Sequence, residues 1–164
     1  KKHNLERPKS LGCTCEVDPE LEFLNPEKKI SYPYKDGNND LHNFVAEEKH
    51  DFFMFHQTLE HVCNPWVVVE NIGKNVSPGG YVFTSVPTIN IPHSTPFHFT
   101  GIYPMGLALM FISAGFEIVE TGQWGNFKYI SSIFSSHSWP DIRSTGTNNQ
   151  ERNVAQCWIL AKKL

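Results

Sequence analysis

Apolar residues are spread unevenly along this chain. Through residue 40 the sequence is dense in Pro, Asn, Glu and Lys, with short apolar islands at residues 21–24 and 30–34 that specify neither helix nor strand. The character changes at Asp51. Phe52-Phe53-Met54-Phe55 is a continuous apolar run, which predicts a strand buried on both faces, as in a parallel sheet covered by helices.

Over residues 65–76, Trp66, Val69, Ile72 and Val76 recur three or four apart. Asn64 suits the N-cap and Pro65 the first helical position, so an amphipathic helix is predicted. Ser77-Pro78-Gly79-Gly80 stops it, and Tyr81-Val82-Phe83-Thr84-Ser85-Val86 predicts the next strand, ended by Pro87. Strand, helix and strand fit in about 36 residues, the length a parallel crossover needs. Residues 87–100 combine prolines and histidines without periodicity and read as a long loop leaving the C-terminal end of a strand, where open α/β sheets carry functional loops.

Residues 103–114 carry Met105, Leu109 and Ile112 beside Leu107, Met110 and Phe111, with Gly115 as a natural C′ residue: a buried helix closed by glycine. Phe116-Glu117-Ile118-Val119-Glu120 alternates as a strand. After a polar loop at 138–153, Gln156-Cys157-Trp158-Ile159-Leu160-Ala161 supplies the last one. Trp66, Phe111, Phe116 and Trp158 fall on these faces and are expected in the core. No repeat is visible, and a single domain over residues 1–164 is expected, with residues 1–50 its atypical part.

Composition narrows the function. With 164 residues, 40% hydrophobic and 19% charged, the chain can bury one real core. A formal charge of -3, a pI near 6.2 and no basic run interleaved with aromatics argue against a nucleic-acid partner. The first ten residues are polar with no apolar segment behind them. No stretch approaches the roughly 18 apolar residues of a membrane span, so a cytoplasmic protein without membrane contact is expected. Cys13, Cys15, Cys63 and Cys157 read as reduced thiols rather than a disulfide framework.

Four motifs occur in order at ordinary spacing: Asp51-Phe52-Phe53 through Leu59-Glu60-His61-Val62-Cys63-Asn64-Pro65; Ser77-Pro78-Gly79-Gly80-Tyr81; Val86-Pro87; and Ala114-Gly115-Phe116-Glu117-Ile118-Val119. Together they resemble the consecutive motifs of class I S-adenosylmethionine-dependent methyltransferases, over residues 51–164. Pro92-His93-Ser94-Thr95-Pro96-Phe97-His98-Phe99-Thr100 and Gly122-Gln123-Trp124-Gly125-Asn126 further resemble a subgroup often associated with sugar and polysaccharide modification. The resemblance implies an α/β, Rossmann-like sheet of seven strands, mostly parallel, with an antiparallel last strand. It also implies S-adenosylmethionine as cofactor and methyl transfer to an oxygen or nitrogen of a small acceptor, a carbohydrate in the subgroup.

A strand ending at Phe55 and turning through His56, Gln57 and Thr58 brings backbone amides and small polar groups to the sheet's C-terminal edge, where a nucleotide-like ligand can lie. In the family, a carboxylate after the second strand holds the ribose hydroxyls and one after the third takes the adenine amino group. The resemblance gives the first role to Asp18 and the second to Asp40 or Asp36. A methyl donor carries its own activation in the sulfonium, so the protein aligns the acceptor and takes its proton. His61, His93 and His98 are the candidate bases. Each also has a plainer reading: His61 as the start of the following helix, His93 and His98 as polar loop residues. Tyr103 and Trp124 are candidates to orient the acceptor.

The family's glycine-rich turn belongs about 20 residues before the ribose carboxylate, yet only 17 residues precede Asp18. Either the sheet lacks its first strand, or Leu11-Gly12-Cys13-Thr14-Cys15 is a shortened remnant of that turn and the second strand is missing or rebuilt. Two alternatives follow: a binding module of methyltransferase shape, or a fragment completed by another chain. Cys13, Cys15, His56, His61, Cys63, His93 and His98 could ligate a metal, but no CxxC pair or HExxH spacing appears, so none is expected.

Overall fold

The computed structural model describes residues 7–14, 24–34, 38–93 and 97–164. Its strands are β1 (Ser10–Cys13), β2 (Lys28–Ser31), β3 (His50–Met54), β4 (Val76–Pro87), β5 (Phe116–Trp124) and β6 (Gln156–Lys163). Helix α1 (Pro65–Lys74) joins β3 to β4 and α2 (Pro104–Ser113) joins β4 to β5. Helix α3 (Phe127–Ser136) and the single turn α4 (Ile142–Thr145) lie between β5 and β6.

The strands form one sheet in the order β2-β1-β3-β4-β6-β5. β1 pairs in parallel with β2 and β3, and β3 in parallel with β4, whereas β6 runs against both β4 and β5. The mostly parallel sheet with an antiparallel last strand is therefore as expected. Among the described residues it has six strands rather than seven.

The apolar run in β3 is divided between two faces, because successive side chains of a strand point oppositely. Phe53 and Phe55 join Val82, Val86, Ile159 and Ala161 under the buried faces of α1 and α2, while Phe52 and Met54 join Leu11, Cys13 and Leu160 on the other side. Asn64 caps α1 as predicted, its Oδ1 accepting from the Val67 N–H at 3.3 Å, with Pro65 in the first turn.

Three expectations are corrected. Leu11-Gly12-Cys13, read as the remnant of a glycine turn, is instead a strand inside the sheet: Leu11 and Cys13 are fully buried, and Gly12 leaves room for the His50 and Phe53 rings, which a Cβ there would meet at 2.6 Å. Helix α2 buries Leu107, Ala108, Met110 and Phe111 but leaves Met105, Leu109 and Ile112 on its outer face. Being apolar all round, its sequence did not mark which side packs. Trp66, expected in the core, is 47% exposed on the first turn of α1, where Val68, Val69 and Ile72 do the packing.

Candidate functional site

The parallel strands β1 to β4 all end at one edge of the sheet, and a cleft of about 680 Å³ opens there. Thr14 leaves β1, Tyr32 to Tyr34 leave β2, Gln57, Thr58, His61, Val62 and Cys63 follow β3, and His93, Phe97 and Phe99 come from the loop after β4. From β1 the chain passes to β2 on one side and to β3 on the other. The cleft thus straddles the point where the strand order reverses, the place open α/β sheets use for ligands.

At that point Thr14 and Thr58 meet, their Oγ1 atoms 3.3 Å apart. Gln57 adopts a left-handed φ of 49°, uncommon for a residue with a side chain. Its N–H donates to the Ser85 carbonyl at 2.8 Å and its Nε2 to Ser85 Oγ at 3.3 Å, and His56 Nδ1 lies 2.8 Å from the same hydroxyl. β4 thereby holds the turn that turns Gln57 and Thr58 toward the cleft. His56 is occupied with Ser85 and is not among the lining residues.

The far wall is a loop folded over from β2. Asp40 lines the cleft, and its Oδ1 accepts from the His42 N–H at 3.0 Å and from the His42 ring Nδ1 at 2.6 Å; these bonds, the backbone one first, hold its carboxyl below the usual range. His42 Nε2 in turn accepts from the Asn64 N–H at 3.2 Å and lies 3.4 Å from Cys63 Sγ. His42 and Cys63 both line the cleft; His42 was not singled out in the sequence, and Cys63 only as a thiol and potential metal ligand, because their meeting depends on a loop pairing across 21 residues. Asp18 and Asp36 lie outside the described residues.

The three expected bases do converge. His61, in a 3-10 turn at Leu59–His61, has its ring centroid 4.8 Å from that of His93 and 5.9 Å from that of His98, and the latter two are 4.6 Å apart. The loop after β4 is clamped onto this turn: His61 Nδ1 donates to the Phe97 carbonyl at 2.6 Å and the Phe99 N–H to the Glu60 carbonyl at 2.7 Å. Burial, then the neighbouring His93 and His61, lowers the pKa of His98. Of the three, His61 and His93 line the cleft.

Beneath them is a group sequence reasoning passed over. Glu60 is 0% exposed, and neither carboxylate oxygen has a hydrogen-bond partner. Burial pushes its carboxyl up to about 7, against the opposing pull of its own main-chain N–H, which lies outside hydrogen-bond geometry, and of His93.

Trp124 and Tyr103 lie elsewhere. Trp124 lines a second hollow of about 640 Å³ with Tyr129, Trp139 and Trp158, which shares Gln57 with the main cleft. Trp139 connects the two, its ring 5.3 Å from that of His93. Tyr103, before α2, is 57% exposed and lines neither.

No protein-family model matches the sequence, and no curated protein does. Solved structures match in fold. An S-adenosylmethionine-dependent methyltransferase from Mesorhizobium loti superposes with a TM-score of 0.66 at 10% identity, over 99% of this chain and 94% of that one. One from Clostridium acetobutylicum gives 0.65 at 9% identity, over 99% and 86%. The glycopeptide N-methyltransferase MtfA in complex with S-adenosyl-L-homocysteine gives 0.60 at 8% identity, over 99% and 86%. At such identities the likeness is one of fold: the chain has the mostly parallel, Rossmann-like sheet that these methyltransferases share.

Proposed function

We propose that the cleft binds S-adenosylmethionine and that the chain transfers its methyl group to an oxygen or nitrogen of a small acceptor. The observation that carries this reading is the position of the cleft, at the carboxyl edge of β1 to β4 and astride the reversal between β1 and β3, in a chain of this fold. Gln57 and Thr58 take the cofactor at the strand exit. Asp40, kept ionised by His42, offers acceptor oxygens to its hydroxyl or amino groups. Asp18 and Asp36 are the further carboxylates assigned to the ribose and adenine. A carbohydrate is the acceptor class the loop motifs favour.

In the reaction an acceptor lone pair attacks the methyl carbon, the carbon–sulfur bond breaks, and S-adenosylhomocysteine leaves neutral. The acceptor's proton passes to the imidazole cluster at the cleft wall. Phe97 and Phe99 add apolar surface to the same wall of the cleft.

Calorimetric titration of the purified chain with S-adenosylmethionine and with S-adenosylhomocysteine tests the reading. Micromolar binding of either, weakened at least about tenfold in Asp40→Ala as expected for a charged hydrogen-bond acceptor, supports it. Absence of binding to both overturns it.

A further inference from the structure

From Glu60, His61 and His93 we infer a binding site for one divalent transition-metal ion, of the class zinc represents, with a coordination position open to the cleft. One ligating atom from each residue lies within 4.8 Å of the others. His61 Nε2 is 3.7 Å from Glu60 Oε1. Ligand atoms around such an ion stand roughly 3 Å apart, so small ring and carboxylate rotations complete the site.

Two independent features point to a cation here. The first is the Glu60 carboxylate, wholly buried, with both oxygens lacking a hydrogen-bond partner. Burying such a group without a partner is costly, and a bound cation removes that cost. The second is the setting of the imidazoles. A carbonyl oxygen can only accept, so the 2.6 Å contact from His61 Nδ1 to the Phe97 carbonyl puts the proton on Nδ1 and leaves a lone pair on Nε2, which faces Glu60. His93 Nδ1 likewise lies 3.1 Å from the Ile91 carbonyl and 3.1 Å from His98 Nδ1. Its proton belongs on Nδ1, its lone pair on Nε2, and His98 Nδ1 is an acceptor. A backbone carbonyl fixing the far nitrogen is how metal-binding histidines are ordinarily oriented.

The donor set decides the metal. Two imidazoles and one carboxylate suit zinc and its first-row neighbours, whereas magnesium and calcium prefer oxygen throughout. Three protein ligands leave a position free, and because His61 and His93 both line the cleft, that position faces it. An ion there would bind an oxygen of the acceptor and leave His98 as the unligated imidazole of the cluster. The ligand spacing escapes sequence patterns because 60 and 61 are adjacent and 93 comes from another loop.

The chain, stripped of metal by a chelator and dialysed, is titrated with Zn²⁺ by calorimetry in the absence of any methyl donor, so the outcome is separate from that of the cofactor titration. One ion per chain is expected, with affinity reduced at least about 100-fold in His61→Ala, His93→Ala and Glu60→Gln, little changed in His42→Ala, and unaffected by millimolar Mg²⁺. Co²⁺ in place of Zn²⁺ should give visible absorption that the first three variants lose. Circular dichroism without metal verifies folding; should Glu60→Gln or His61→Ala fail to fold, His93→Ala, on the loop, decides. No binding, equal affinity in His93→Ala, or a thiolate-to-cobalt band implicating Cys63 would overturn the site.

Discussion

The two sides of the sheet are built differently. On one side β4 runs for twelve residues, β6 for eight and β5 for nine, and their inward faces are packed by α1 and α2 through aliphatic and aromatic contact. On the other, β1 and β2 are four residues each, and polar side chains fasten them. The Tyr32 hydroxyl meets His50 Nε2 at 2.9 Å, His50 Nδ1 meets Ser10 Oγ at 2.7 Å, and that hydroxyl donates to Glu48 Oε1 at 3.1 Å. Where apolar area is scarce, directional bonds set position. The cleft sits on the join, so one wall rests on a packed core and the other on a hydrogen-bonded network.

The largest effect should come from closing the gap between the two sides. Gly12→Val places a Cβ 2.6 Å from the rings of His50 and Phe53, both fully buried, and adds two methyls to a site with no room for them. A destabilisation of about 3 kcal/mol or more is expected, at the upper end of overpacking effects, read as a lower urea midpoint. An unchanged midpoint would mean that the β1 edge yields independently of β3.

Next in size is Asn71→Ala. Asn71 Nδ2 donates to the Leu41 carbonyl at 3.2 Å and to the Phe44 carbonyl at 2.7 Å, and Asn75 also donates to Phe44 while its Oδ1 accepts from the Ala46 N–H at 2.7 Å. These two side chains of α1 and its C-cap bind the segment that leads from Asp40 and His42 back to β3. Removing one leaves the buried Leu41 carbonyl without its side-chain donor, a loss of about 2 kcal/mol. Amide exchange should quicken over residues 41–46 and not in β4 or β6. Uniform quickening would show that the two sides do not differ as described.

The contrast also explains what could be read from the sequence. Strands β3, β4, β5 and β6 and helix α1 announce themselves because their residues bury apolar faces, and the strand-exit logic then puts Gln57, Thr58, His61 and His93 at the cleft. Helix α3 passed unnoticed: four serines at 131, 132, 135 and 136 break its apolar face, Ile133 is its one buried residue, and the Asn126 cap holds its start. β1 and β2 carry too few apolar residues for any periodicity, and their register depends on His50, 18 residues beyond Tyr32. Asp40 was marked as a carboxylate, but its partner His42 was not, and Glu60 looked like an ordinary turn residue until its burial was known.

The smallest effect is a pH dependence centred on His50. Burial, the largest influence, lowers its pKa below the ordinary histidine value of 6.5, against the pull of Glu48 and Asp51 and with the help of Lys28; the Tyr32 hydroxyl is the other titratable group facing it. When the folded pKa lies below the unfolded one, the unfolded chain binds the proton more readily as pH falls. The network's stabilisation is thus fully present above about 6.5 and is lost as pH drops through the folded value. Glu60, pushed up to about 7, titrates in this range, and His98, its pKa lowered, is a further ionisable group, so the readout is a difference: the urea midpoint of the wild type between pH 7.5 and 5.5 should fall further than that of His50→Gln, whose amide can donate and accept but does not titrate. Equal falls would mean that the histidine takes up its proton as readily in the folded state as in the unfolded one across this window. The polar side of the sheet would then owe its hold to Ser10, Tyr32 and Glu48 without any contribution from proton binding.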